Sequence, residues 1–294
     1  MGRAFSILVR VGAGVVGITI VAIVLLYLVT GTRMMTRFDV VPEQVEIPTG
    51  EAAIERGRHV AHAISKCDDC HGEDMGGKIY SQGTGLGLVS ASNLTAGKGG
   101  LDDDFTDADW VRTTRYGLRP NGTPLLYMPS NYSHDLTIDD LGVLIAYIRS
   151  LPPIDRVMPR ARAGIFSRFY YLTGQLDLIP AEIIDDSPPR ADPRKIGTNI
   201  ESGRYLINVG GCRRCHGRYL RGGIVPFARP GTPLASNLTP NGDMEAWELE
   251  DFFNAMRKGR EPDGGNLEST MPWRFTSELT DDEITAIWLY LQSL

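Results

Sequence analysis

The sequence predicts an all-α protein in which an N-terminal transmembrane helix leads into two tandem helical domains. Three observations carry that expectation. Val11 to Thr30 (VGAGVVGITIVAIVLLYLVT) contains no charged residue and as a helix rises roughly 30 Å, the thickness of a bilayer core. Most of the remainder of the chain is written twice. Each copy opens and closes on residues with a helical apolar period. A length of 294 residues agrees with two domains of roughly 150 residues each.

The apolar run reads as an uncleaved anchor over residues 1–32. A cleavable signal peptide is the competing reading, but the run is long for one and Gly31-Thr32-Arg33-Met34 offers no small-x-small site. Orientation does not follow from charge counting, because Arg3 and Arg10 precede the run while Arg33 and Arg37 follow it. A net charge of −6 argues against a nucleic-acid partner, which needs a broad basic surface.

After a linker at 33–54, the duplication covers 55–151 and 200–294. ERGRHVAHAISKCDDCHG from Glu55 matches ESGRYLINVGGCRRCHG from Glu201. Both copies continue to Ser-Asn-Leu-Thr, at 92–95 and 236–239, then to an amphipathic helix, then to Met-Pro. Helices are expected at Glu55–Ser65 and Glu201–Val209, and again at Thr137–Ser150 and Thr280–Ser293. Asp139-Asp140 and Asp281-Asp282 suit the positive first turn of the latter pair. Leu141, Leu144, Ile145 and Ile148 follow helical spacing, as do Ile284, Ile287, Trp288 and Leu291. Gly57 and Gly203 would admit a last-helix aromatic, Tyr147 or Tyr290, at close range, although ordinary core packing explains these aromatics as well. Gly83 to Gly87 reads as loop, and no phosphate-cradle context follows it.

All four cysteines fall in two Cys-x-x-Cys-His frames: Cys67, Cys70 and His71, then Cys212, Cys215 and His216. On one helical turn two thiols can bond one porphyrin while the imidazole reaches its iron, the c-type haem attachment pattern. A four-cysteine zinc site, a dithiol redox pair and chance surface cysteines compete with it. Neither zinc nor dithiol chemistry requires a histidine directly after both pairs. Met128 and Met271 lie at matching positions fifty-odd residues after each histidine, each before Pro, and are the candidate distal ligands. Gap-filling in the core is the alternative use of a methionine. Met75, Met158, Met244 and Met256 lack counterparts in the other copy. His134 is an alternative ligand for the first haem, with Ser277 at its partner position, and His59 and His62 read as surface residues.

On these motifs both halves resemble class I cytochrome c domains, and the whole chain is similar to membrane-anchored dihaem c-type cytochromes, including cytochrome subunits of bacterial dehydrogenase and quinol-oxidising complexes. The resemblance implies two covalently attached haem c groups, protein electron donors and acceptors, and one-electron transfer within a membrane complex. It implies a single-pass protein of the bacterial cytoplasmic membrane with its haem domains on the periplasmic side, where haem is attached. The competing class is a dihaem enzyme of peroxidase or thiosulfate-oxidising type. Such an enzyme needs an exchangeable iron position, which two methionine ligands would close.

Two features stay open at this level. The Pro-rich segment 152–199, with Phe166, Phe169, Tyr170 and Tyr171 beside Arg160, Arg162 and Arg168, could pack on the domains, meet a partner subunit or touch lipid headgroups. The first frame carries Asp68, Asp69, Glu73 and Asp74 while the second carries Arg213, Arg214, Arg218 and Arg221. The contrast reads as an acidic and a basic mouth that steer different partners, or as solvated surface charge. Positive charge disfavours ferric iron, so the expected order places the higher potential on the second haem.

Overall fold

The computed structural model describes residues 2–187, 189–226, 228 and 231–294. Met1 of the anchor therefore lies outside the described residues. Helix α1 (Gly2–Met35) is longer than the apolar run alone and is long and apolar enough to cross a membrane.

The first repeat begins with α2 (Glu51–His59), which continues as one wider turn over Val60–Ile64, closed by the Ser65 N–H on the Val60 carbonyl at 2.8 Å. The turn has a cause in the sequence. From Gly57 to Cys67 there is one residue more than from Gly203 to Cys212, and an i→i+5 turn is how a helix absorbs an insertion. The frame helix α3 (Cys67–His71) follows, then α4 (Asp107–Tyr116), α5 (Ser130–Ser133) and α6 (Ile138–Ser150). After α7 (Ile165–Leu172), the second repeat supplies α8 (Ile200–Val209), the frame helix α9 (Arg213–His216), α10 (Leu249–Lys258), α11 (Trp273–Thr276) and α12 (Asp281–Gln292). Thr137 and Thr280 cap α6 and α12 by accepting from the amides of Asp140 and Glu283, so both last helices start where the acidic first turns placed them.

In each repeat the first and last helices cross where a glycine removes the Cβ. A methyl group at Gly57 would lie 2.0 Å from the Val143 carbonyl and 2.7 Å from Tyr147 Cβ. At Gly203 it would lie 1.9 Å from the Ala286 carbonyl and 2.7 Å from Tyr290 Cβ. The crossing buries Leu141, Leu144, Ile145 and Ile148 in one repeat and Ile284, Ile287 and Leu291 in the other, as their spacing predicts, while Trp288 packs at the margin. One apolar cluster runs through both repeats, joining Val60, Ile64, Trp110 and Leu144 to Tyr205, Leu206, Phe252 and Ile287.

The all-α expectation gives way between each frame and its Ser-Asn-Leu-Thr. Strands β1 (Lys78–Thr84) and β2 (Gly87–Ala91) form an antiparallel hairpin whose turn is the stretch read as loop, and β3 (Arg162–Ala163) adds to β2. The second repeat has a smaller pair, β4 (Arg221–Gly223) and β5 (Ala235–Asn237). Sequence reading missed the strands because β1 and β2 are irregular in register and β3 comes from a distant part of the chain.

The segments outside the duplication are bound into the first repeat. Asn93 Nδ2 donates to the Ile154 carbonyl at 2.6 Å, Ser90 Oγ to Pro159 at 2.5 Å, and the Tyr127 amide to Leu178 at 3.2 Å. Val45 and Ile47 of the 33–54 segment pack on the core.

Candidate functional site

Each frame helix sets its histidine in the same bond. His71 Nδ1 lies 2.8 Å from the Ser92 carbonyl, and His216 Nδ1 lies 2.8 Å from the Ser236 carbonyl. A carbonyl only accepts, so each imidazole carries its proton on Nδ1 and leaves the Nε2 lone pair free for a metal. The repeated Ser-Asn-Leu-Thr thereby gains a physical role. Asn93 Oδ1 accepts from the amide and hydroxyl of Thr95 at 3.0 and 2.8 Å, and Asn237 does the same for Thr239, fixing the turn that presents the serine carbonyl. Burial lowers the affinity of both imidazoles for a second proton, against the raising effect of the serine carbonyls, which keeps them in the neutral form a ligand needs.

The cysteines carry a second indication. Burial, reinforced by Asp68, pushes the Cys67 thiol up to about 12, and burial with Asp69 pushes Cys70 up to about 11. Burial also raises the Cys215 thiol. A dithiol redox pair requires thiols held below their ordinary range, so these shifts count against that reading. Among the described residues no three His, Cys, Asp or Glu side chains gather as a metal cluster, so the cysteine pairs do not assemble into one zinc site. Cys67, Cys212 and Met271 all pack on the apolar core, a setting that fits a porphyrin edge held by thioether bonds.

The Met-Pro segments share one backbone course. Pro129 and Pro272 have ψ near 55° and 52°, and the amides of Ser130 and Trp273 donate to the Met128 and Met271 carbonyls at 2.8 and 2.9 Å. The next turn is clamped from behind in both repeats: Arg115 Nη1 donates to the His134 carbonyl at 2.6 Å, and Arg257 donates to the matching Ser277 carbonyl. Tyr127, before Met128, has a positive φ of 66°, held by its amide on Leu178 and its hydroxyl on the Leu86 carbonyl at 3.0 Å. Lys66, before Cys67, has φ 52°. Such a conformation costs a bulky residue about 1–3 kcal/mol and persists only where its surroundings enforce it.

His134, the alternative ligand, is engaged elsewhere. Its Nδ1 lies 3.2 Å from the Arg115 carbonyl, and its Nε2 lies 3.3 Å from Asp186 and 3.4 Å from Arg190, at 5% exposure. Both ring nitrogens have partners within the fold.

His59 and His62 are not the surface residues their sequence context suggests. His62 bridges Asp68 at 2.8 Å from Nδ1 and the Tyr147 hydroxyl at 2.9 Å from Nε2. By repeat these three residues correspond to Asn208, Arg213 and Tyr290, and there Arg213 donates to Asn208 Oδ1 at 3.0 Å and to the Tyr290 hydroxyl at 2.7 Å. The same three positions thus tie each frame to its first and last helices, with the charge beside the first cysteine inverted. The one-residue offset before Cys67 hid this correspondence from sequence reading.

Three of the four acids around the first frame are paired within the chain. Asp68 is held by His62, Asp69 accepts from the Tyr80 hydroxyl at 2.9 Å, and Asp74 pairs with Arg156 at 2.8 Å; Glu73 is exposed. The basic side is open. Arg204, Arg213, Arg218 and Arg221 line a groove of about 830 Å³ between the repeats, with Tyr290 and Tyr132. Lys66 donates to the Gly210 carbonyl, which brings the two frames together across the repeat boundary.

Residues 198–291 match the family model for cytochrome c oxidase, cbb3-type, subunit III. The chain is 32% identical over 268 residues to the cytochrome c subunit of a quinone alcohol dehydrogenase from Gluconobacter oxydans (strain 621H), an alignment covering 83% of this chain and 55% of the relative. It is 24% identical over 270 residues to the fructose dehydrogenase cytochrome subunit of Gluconobacter japonicus, covering 82% and 52%. A shorter match, 31% over 110 residues and covering 34% and 24%, is to the gluconate 2-dehydrogenase cytochrome c subunit of Pantoea cypripedii. The chain spans about half the length of the first two relatives. It carries a cytochrome c domain, with the covalently bound haem c that this implies, and is similar along most of its length to the cytochrome subunits of bacterial dehydrogenases.

Proposed function

We propose that the chain is a dihaem electron-transfer subunit, anchored by α1 in the bacterial cytoplasmic membrane, that takes single electrons from an extracytoplasmic or membrane oxidoreductase and passes them to a downstream acceptor. The observation that carries it is the duplicated 2.8 Å bond from each frame histidine to a serine carbonyl, which readies two imidazoles in the same way. Cys67, Cys70, His71 and Met128 would hold one haem c, and Cys212, Cys215, His216 and Met271 the other. The family model reaches only the second repeat. The haem of the first repeat rests on the matched local structure around its frame.

Haem c, when bound, supplies a one-electron iron couple. The chain's residues supply the rest: serine carbonyls orient the imidazoles, the core around Cys67, Cys212 and Met271 excludes water, and the Arg115 and Arg257 clamps hold the methionine loops. The two repeats read as cytochrome c domains at 55–151 and 200–294. Haem attachment takes place outside the cytoplasm, which puts everything after α1 on the periplasmic side. The similarity to dehydrogenase cytochrome subunits supports a partner oxidoreductase in a multi-protein complex. Purification of the membrane complex followed by a reductive titration of its c-type haem bands tests the reading: two electrons per chain support it, and one electron per chain contradicts it.

A further inference from the structure

Helix α7 lies against the end of α1 and turns an aromatic face outward. Arg168 Nη1 donates to Thr30 Oγ1 at 2.5 Å and its guanidinium sits 4.3 Å from the centre of the Tyr27 ring. One turn on, Arg33 lies over the Tyr171 ring at 5.7 Å and 3.7 Å from Glu182. Tyr27 and Thr30 close the uncharged run that begins at Val11, so these contacts mark the level at which α1 leaves the apolar layer.

The side of α7 away from these bonds is apolar and uncovered. Phe166 and Phe169 are 54% and 51% exposed, and Tyr170 and Leu172 are exposed beside them. Positions 166, 169 and 170 share one helix face, while Ser167, outside that arc, is fully buried and donates to the Leu86 carbonyl at 2.8 Å. The helix is pinned to the hairpin of the first repeat. The Gly164 amide donates to Leu86 at 2.8 Å and the Phe166 amide to Gly85 at 2.9 Å, and the Phe166 ring covers Gly85 so closely that a Cβ there would lie 2.2 Å from it. The aromatic face therefore has a fixed height relative to the end of α1.

We propose that α7 is an interfacial helix whose aromatic face rests in the lipid headgroup layer beside α1, setting the height and tilt of the folded body over the membrane. The inference rests on α1 being a membrane anchor. Aromatic rings stabilise this layer because it accepts an apolar body and a polar rim together, and a short amphipathic helix gains by burying its apolar face there. The basic residues at the same level, Arg33 and Arg168, suit the phosphate side of the boundary. A single span leaves the attached body free to rotate about its linker. A second contact beside the span removes that freedom, and the bonds from Arg168 to Thr30 and Tyr27 make the two contacts one unit.

The full chain in its own membranes tests the proposal. A photo-crosslinking phenylalanine analogue (p-benzoylphenylalanine) is placed singly at Phe166, Phe169, Ile20 and Tyr219, and adducts are identified by mass after illumination. The proposal expects lipid adducts at positions 166 and 169 as abundant as at 20, and their loss at 219, an exposed position in the second repeat. Lipid adducts at 20 with only protein adducts, or none, at 166 and 169 overturn it and assign α7 to a partner subunit or to water. Equal lipid labelling at 219 also overturns it, since the contact would not belong to α7. Absence of lipid adducts at 20 removes the anchor reading itself.

Discussion

The Tyr205 hydroxyl donates to Asp140 Oδ2 at 2.6 Å, and the residues matched to this pair by the duplication, His59 and Glu283, meet at 2.8 Å. Residue for residue, the second repeat grips the first as the first grips the second, the signature of packing about a pseudo-two-fold axis. Arg56 reinforces the junction by reaching both Asp140, at 2.9 Å, and Glu283, at 3.3 Å.

Tyr205→Phe removes one side of this grip without a change of volume. A buried hydrogen bond to a charged group contributes about 1.5–3 kcal/mol, so the variant should be less stable by that amount and unfold at a lower urea concentration. Tyr290→Phe, whose hydroxyl serves Arg213 at the margin of the fold, should lose less. Equilibrium unfolding of both variants checks the order.

The Glu283 carboxyl is pushed up by burial, but the bonds from His59 and the Thr280 amide and the charge of Arg56 outweigh this and hold it below its ordinary value of 4.5. A carboxyl depressed in the folded state contributes stability above its unfolded value and loses it as pH falls through the folded one. Wild type should therefore exceed Glu283→Gln in stability at pH 7, and the gap should close below about pH 4.5. Thermal unfolding across pH 3–7 reads this difference.

Gly203→Ala forces a methyl group to within 1.9 Å of the Ala286 carbonyl, a backbone atom that cannot swing aside. Helices α8 and α12 must separate, at a cost of about 3 kcal/mol or more. The variant should show lowered stability together with reduced haem content, because the frame follows directly on α8. An unchanged melting temperature would contradict the crossing described above.

On the dihaem function proposed above, the inverted charges at Asp68 and Arg213 should order the potentials, with a haem on Cys212 and Cys215 higher. At an effective dielectric of about 40, one charge about 10 Å away contributes ~0.8 kcal/mol, about 35 mV for one electron. Asp68→Asn should raise the lower potential by tens of millivolts and leave the other nearly unchanged. Potentiometric titration of the variant beside wild type decides this, and a fall in the lower potential would reject the assignment.

The ends of the last helices were legible because caps and apolar spacing are local: Thr137 and Thr280 start α6 and α12 within one residue of expectation, whereas α2 starts at Glu51, four residues before the expected Glu55, behind Gly50 with no capping side chain. The frames and Met-Pro pairs stand out because the duplication displays them twice, and the ligand roles given to them belong to the proposal above. The bonds of His59 to Glu283 and of His62 to Tyr147 were hidden, since these partners lie 224 and 85 residues away. The strand β3 and the clasp of 152–199 around the first repeat were hidden for the same reason. The serine carbonyls were present as a repeated Ser-Asn-Leu-Thr, but only their place beside each imidazole gives that motif meaning.

The most direct test is the intact mass of the denatured, reduced polypeptide purified from membranes. Two haems joined to each chain, falling to one when Cys67 and Cys70 are replaced by alanine and the second frame is left intact, is the predicted result. One haem per chain in wild type, unaffected by that replacement, would contradict a functional first frame and with it the dihaem assignment.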